Sequence, residues 1–119
     1  MRPCIDALRR SRCRRKVRTV ILEHARLSVL PGRGDDFLRA FSEAASIIRS
    51  MDGCLGVRLL RCLETSDEFL LLVEWETVEH HTVGFRQSEQ YQRWRALLHH
   101  FYEPFPEVLH YEDVLPTEW

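Results

Sequence analysis

The side chains in this sequence best suited to chemistry are histidines and large aromatics. His81 and its neighbour His80 follow Trp75 at short range. A histidine titrates near neutral pH, so His81 is a candidate general base. His80 points elsewhere from the same short helical piece and reads as solvated. Trp75 offers a flat apolar body, able to stack on an aromatic ligand and equally able to fill a core. Tyr91 and Trp94 stand three residues apart on one side of a helix. They either pack there or line a pocket that uses the same face. His24 and His110 fall in strand-like stretches. If both point towards the helices, they meet Trp75 or His81 inside a pocket. His99 and His100 lie near a helix C-terminus, where the helix dipole favours their charged form.

Metal chemistry is not expected. Two adjacent histidines cannot face one site from a helix, and no HxH, HxxxH or carboxylate-bearing ligand spacing occurs. The cysteines, at positions 4, 13, 54 and 62, form no CxxC pair. Cys54 and Cys62 on one strand would stand ~26 Å apart, beyond the reach of a disulfide. They read as free thiols in a reducing cytosol.

These groups need elements to hold them. Thr19–Val29 is rich in β-branched and apolar residues and reads as a first strand, stopped by Pro31-Gly32. Gly34-Asp35-Asp36 opens a helix, with acids suited to the positive end of its dipole. Phe37, Phe41, Ala44 and Ile48 give that helix one apolar face. It should end near Met51, with Gly53 taking a left-handed conformation. Cys54–Leu63 and Glu68–Trp75 read as a hairpin turning at Ser66-Asp67. Val78–Phe85 is a short helical piece. Ser88 caps a second helix that presents Tyr91, Trp94, Leu98 and Phe101, and Pro104 and Pro106 end it. Glu107–Val114 is a fourth strand. The order β-α-β-β-α-β is the ferredoxin-like arrangement of an α+β fold, an antiparallel sheet with both helices on one face.

The strands predict an assembly. Phe69, Leu71, Val73 and Trp75 share one face of the third strand, yet Leu70 and Leu72 lie on the other. Leu55, Val57, Leu59 and Leu63 share a face of the second strand, with Leu60 and Cys62 opposite. Ile21, Ala25, Leu27 and Val29 oppose Val20, Leu22, His24 and Arg26 in the first. A solvated antiparallel sheet alternates cleanly between apolar and polar. This one carries large aliphatics on both faces, and two helices cover only one. Sheet-to-sheet packing with a second copy is the economical cover. Glu68, Glu74 and Glu76 must then lie at the rim or pair.

Composition sets the remaining bounds. The chain has 119 residues, 45% hydrophobic and 29% charged, with a formal charge of -1. It divides into a tail, 1–18, one domain, 19–114, and a short C-terminal tail, 115–119. Residues 1–18 carry eight bases against the single acid Asp6. The tail lacks interleaved aromatics and any recognised motif, so nucleic acid is not an expected partner. It reads as a disordered arm or as the product of a start codon chosen too far upstream. No stretch approaches the ~18–20 apolar residues of a membrane helix. Arg9-Arg10 is not followed by an apolar segment, so no secretory leader is expected and the predicted location is cytoplasmic.

The opening strand ILEHARLSVLPGR, the stretch LLLVEWETVEHHTVGFRQSEQYQRWRALLHHFYEPFPEVLHY and the positions Trp75, Glu76, His81, Phe85, Ser88, Tyr91 and Trp94 resemble the antibiotic biosynthesis monooxygenase family. The resemblance spans roughly residues 20–113. It implies a dimeric α+β barrel, a homodimer, and in some members oxidation of an aromatic or quinol-type substrate by O2 without a cofactor. On that resemblance, His81 falls where anthrone-oxidising members carry a polar aromatic side chain, and Arg95 matches an arginine that stabilises a phenolate or enolate. Those members also carry an asparagine four residues before the strand tryptophan. Here that position is Leu71, so the carbonyl donor of that chemistry is missing. The haem-cleaving members have an asparagine in the first strand, where this chain has His24-Ala25. They also have a tryptophan near Gly84-Phe85 and a haem-binding histidine near Trp94-Arg95, and this chain has neither. The expected function is a cofactor-independent monooxygenase. His81 and Arg95 are its expected catalytic residues, and Trp75, His24, Tyr91, Trp94 and His110 line its pocket. The rivals are a non-catalytic ligand-binding domain of the same fold and a nucleic-acid-associated protein acting through the tail.

Overall fold

The computed structural model describes residues 20–115, so the expectations for the tail at 1–18 and for 116–119 lie outside the described residues. Four strands form one antiparallel sheet: β1 (Ile21–Ser28), β2 (Cys54–Arg61), β3 (Glu68–Trp75) and β4 (Val108–Glu112). Their order across the sheet is β2-β3-β1-β4. Two helices, α1 (Gly34–Arg49) and α2 (Glu89–Leu98), pack together over one face. This is the ferredoxin-like α+β fold that the element order predicts.

The local reasons are those of the sequence. Phe37, Phe41, Ala44, Ala45 and Ile48 are all buried along α1, one stripe at the helical period. Asp35 and Asp36 occupy its first turn, and Asp36 is held between Arg33 and Arg39. Ser88 caps α2 by accepting a hydrogen bond from the Tyr91 N–H at 3.1 Å. In β3, burial alternates residue by residue, with Phe69, Leu71, Val73 and Trp75 inside.

Strand β2 departs from its expected alternation. The register shifts between Cys54 and Gly56: Cys54 pairs with Trp75, whereas Gly56 pairs with Glu74 and Val57 with Val73. The bulge takes up Leu55, so the side-chain parity flips there. Cys54, Val57 and Leu59 pack on the core, while Leu55 and Leu60 are exposed. Leu63 lies beyond the strand end and is 93% exposed, so it is not a core-facing position.

The stretch after β3 also departs from a plain helix. Residues His80–Phe85 form a π-helical segment, marked by the Arg86 N–H bonding the His81 carbonyl five residues back at 2.9 Å. A short 3₁₀ turn, His99–Phe101, follows α2, and Val29 bridges Tyr102 on the way to β4.

Gly53 turns the chain from α1 into β2 at φ +85°. A β-carbon there would run into the His80 ring, which packs over the glycine while its Nδ1 meets the Thr77 hydroxyl at 2.8 Å. His80 is thus a packed turn residue and not a loose solvated one. Gly53→Ala combines a left-handed L-residue with that clash. It should lower the unfolding free energy by about 1–3 kcal/mol, read as a lower urea midpoint at unchanged slope.

Candidate active site

The site begins with a residue the sequence pattern conceals. Strict alternation along β1 puts Glu23 on the same face as Ile21, Ala25 and Leu27. The structure buries it there, 4% exposed, in the otherwise apolar layer between sheet and helices. A carboxylate in that position needs partners. Trp75, antiparallel to it on β3 and fully buried, donates its indole Nε1–H to Glu23 Oε1 at 2.9 Å. His81 Nε2 lies 3.4 Å from the same oxygen.

The π-helical segment explains how His81 arrives. Its i→i+5 bonding widens the turn, so residues five apart come closer together round the axis than in an α-helix. His81 and Arg86 therefore share a side, and His81 turns inward until it is 2% exposed. Its ring stacks on Trp75 with centroids 5.4 Å apart and planes 18° apart. Phe85 closes the group at 6.1 Å from Trp75. The cross-strand register opposes Glu23 with His110 on β4, so His110 also points inward. Its Nε2 meets His81 Nδ1 at 2.8 Å. Glu23, His81 and His110 thus form a chain, with His81 bonded to each neighbour through a different ring nitrogen. They do not converge on a point, and among the described residues no group of three His, Cys, Asp or Glu could hold a metal ion.

Burial sets the charges. It raises the Glu23 carboxyl to about 7, against the opposing pull of the Trp75 hydrogen bond and the Arg86 charge. It lowers His81 to about 3, helped by Arg86 and then by His110. Burial and Arg86 also lower His110. At neutral pH both imidazoles are uncharged, so the contact between His81 and Glu23 is a hydrogen bond between neutral imidazole and carboxyl, not an ion pair. Among the described residues, the one cation acting on all three groups is Arg86, itself half-buried and 6.0 Å above the Tyr91 ring.

Of the seven residues singled out in the sequence, three meet here: Trp75, His81 and His110. Tyr91 borders them, half-buried, its ring edge-on to Phe85 at 5.3 Å. Trp94 is core, wedged between Phe41 and Phe85. His24 lies on the opposite face of the sheet, because alternation sends it away from Glu23. There it meets Tyr111 at 5.5 Å. Arg95 is exposed on α2, and the site-side group that feels it is His99. The residues missed are Glu23 and Arg86. Glu23 was visible as the single acid in an apolar alternation, whereas Arg86 depends on a π-helical offset that no simple period announces. His99 was expected to be charged at the helix end. Packed against Tyr91, Tyr102 and Phe105, it is lowered to about 4 by burial and by Arg95 and Arg86, so it is neutral.

With this geometry in hand, the relatives can be compared. Residues 20–97 match the family model described as antibiotic biosynthesis monooxygenase. The chain is 50% identical over 95 residues to the uncharacterized protein YczJ of Bacillus subtilis (strain 168), covering 80% of this chain and all of the relative. A crystal structure from Bordetella bronchiseptica carrying the same family name is 40% identical, with a TM-score of 0.77, and 81% of this chain covers 98% of it. A structure from Nitrosomonas europaea superposes with a TM-score of 0.70 over 83% of this chain and 94% of that one. At 17% identity it speaks for the fold alone. Among the described residues no helix is long and apolar enough to cross a membrane.

The raised carboxyl has a consequence for stability. Between about 4.5, its ordinary value, and about 7, the native state holds a proton on Glu23 that the unfolded chain has released. This contribution is fully present below 4.5 and is lost as pH rises through 7. The lowered histidines act in the opposite sense, gaining stability as pH rises towards 6.5. Glu23→Gln removes only the first effect. Relative to the natural chain, the variant should therefore gain up to about 3 kcal/mol between pH 4.5 and 7.5. Urea unfolding across that range measures the gap, and parallel curves would contradict the assignment.

Proposed function

The chain belongs to the antibiotic biosynthesis monooxygenase family, and we propose that it is a cofactor-independent monooxygenase acting with O2 on a small aromatic or quinol-type substrate. The observation that carries this reading is the buried stack of His81 on Trp75, with the Glu23 carboxyl and the Arg86 charge beside it. Direct reaction with O2 needs a substrate turned into an electron-rich anion and kept from water. A carboxyl that titrates near 7, coupled to neutral imidazole, supplies a base matched to neutral pH. Arg86 supplies the charge that holds an enolate or phenolate, the role the sequence reading gave to Arg95. Trp75, Phe85 and Tyr91 supply aromatic walls.

The electrons balance within the substrate. Oxidising a ring CH2 to a carbonyl releases four electrons, and O2 accepts four. One oxygen atom enters the product and the other leaves as water. The base removes the first ring proton, the anion passes an electron to O2, and the radical pair joins as a peroxide that loses water.

The same reading makes the protein a homodimer in the cytosol, with Cys54 and Cys62 as thiols. The face of the sheet away from the helices carries Leu22, Leu60, Leu70, Leu72, Leu109 and Tyr111. Glu68, one of the acids on it, is answered by Arg26 at 3.2 Å and by the Ser28 hydroxyl at 3.1 Å. That pairing leaves an apolar centre for a second copy to cover.

Two measurements test this. Oxygen uptake with anthrones or hydroquinones should be present, and His81→Ala and Arg86→Ala should each lower it by at least 100-fold. Saturable binding without uptake would replace the enzyme with a ligand-binding domain. Size-exclusion chromatography with light scattering should give twice the 14.2 kDa chain mass. Leu72→Asp, central on the open face, should shift it to monomer, and a natural chain that is already monomeric would overturn the dimer.

A further inference from the structure

We propose that Glu23, His81 and His110 form a two-histidine proton relay, in which Nδ1 of His110 takes the substrate proton and Glu23 stores it. The inference rests on the oxidative reading for the origin of that proton. The relay itself is set by the geometry of three side chains.

His81 cannot be the group that meets the substrate. Its Nδ1 is engaged with His110 at 2.8 Å and its Nε2 faces Glu23 at 3.4 Å, so both of its proton sites are used internally. The chain has two ends. The inner end is Glu23, 4% exposed, and the middle is His81, 2% exposed. The outer end is His110, half-exposed on β4, whose Nε2 is taken by His81 and whose Nδ1 has no hydrogen-bond partner among the described residues. A substrate arriving from outside meets that Nδ1 first.

The bookkeeping of protons closes. In one state Glu23 is a carboxylate accepting from His81 Nε2–H, and His81 Nδ1 accepts from His110 Nε2–H. When His110 Nδ1 takes a proton, its Nε2 proton moves to His81 Nδ1, and the His81 Nε2 proton moves to Glu23 Oε1. Both imidazoles end as Nδ1–H tautomers and Glu23 ends as a neutral acid. No imidazolium remains, as burial and Arg86 require. The negative charge has moved from Glu23 to the substrate. The contact of 3.4 Å must tighten for the last transfer, as such contacts do when a ligand binds.

Among the described residues, three titratable or charged groups outside this chain are coupled to Glu23. Arg86 follows the π-helical segment, Cys54 stands on β2, and Tyr102 precedes β4. Burial raises both the Cys54 thiol and the Tyr102 hydroxyl, so neither ionises where Glu23 does. Trp75 on β3 donates to Glu23 in either state.

The test is 15N NMR of the full chain with labelled histidine, which reports the tautomer of each ring. Between about pH 5 and about pH 9, His81 and His110 should switch together from Nδ1–H to Nε2–H with one midpoint near 7. Glu23→Gln, which cannot release the proton, should abolish the switch in both rings. Tautomers constant across the range, a switch in only one ring, or a switch that survives Glu23→Gln would each overturn the relay. His110→Asn, at the half-exposed end, gives the second arm. It should keep ligand binding but lower turnover by at least 100-fold, and unchanged turnover would overturn the role of His110. Absence of O2 uptake in the natural chain would sink the oxidative reading while leaving the tautomer switch to stand or fall alone.

Discussion

Everything at the centre of this protein is arranged around one buried carboxyl. Glu23 occupies an alternation position that the rest of β1 gives to Ile21, Ala25 and Leu27. An unpartnered charge there would be strongly destabilising. The fold answers it with the Trp75 indole from β3 and with His81 from the π-helical segment, and His110 from β4 in turn meets His81. Trp75 and His110 follow from strand register, and His81 needs the widened turn. The residual cost is expressed as a carboxyl held up at about 7.

The sheet divides the labour between its faces. The helix-covered face holds the core and the polar chain within it. The other face presents leucines on all four strands, with Glu68, Arg26 and Ser28 forming a polar cluster at one side. His24 and Glu23 are adjacent in sequence and serve opposite faces. A one-residue slip in β1 would bury the histidine and expose the acid, exchanging the two roles. The register with β3, which sets Glu23 against Val73 and Ile21 against Trp75, fixes which occurs.

Much of this was legible in the sequence because it is periodic. Strand β3 has its expected bounds, and the Ser88 cap and the left-handed Gly53 stand where residue chemistry put them. Trp75, His81 and His110, singled out in the sequence, come together beside Glu23. What was not legible has physical reasons. The β2 bulge moves Leu55 off the core face by inserting one residue into an otherwise regular alternation. Glu23 disappears when a strand face is read for its apolar members only, since the reader passes over the acid that interrupts it. Arg95 was singled out on the family resemblance, and the structure leaves it exposed on α2. The charge that acts on Glu23, His81 and His110 is that of Arg86, and an α-helix of ordinary pitch would carry residue 86 further round from His81.

The directions of the shifted groups also agree with one another. Burial acts on an acid and a base in opposite senses, raising Glu23 and lowering His81 and His110. Both changes favour neutral species, so the three groups share at most one negative charge near neutral pH. That charge is balanced by Arg86, which lies close enough to act on every member yet forms no ion pair with Glu23 among the described residues. Protonating Glu23 leaves the field of Arg86 without a negative partner in the chain Glu23, His81 and His110. The buried acid, the neutral histidines and Arg86 therefore form one electrostatic unit, whose net charge rises by one when Glu23 takes up a proton.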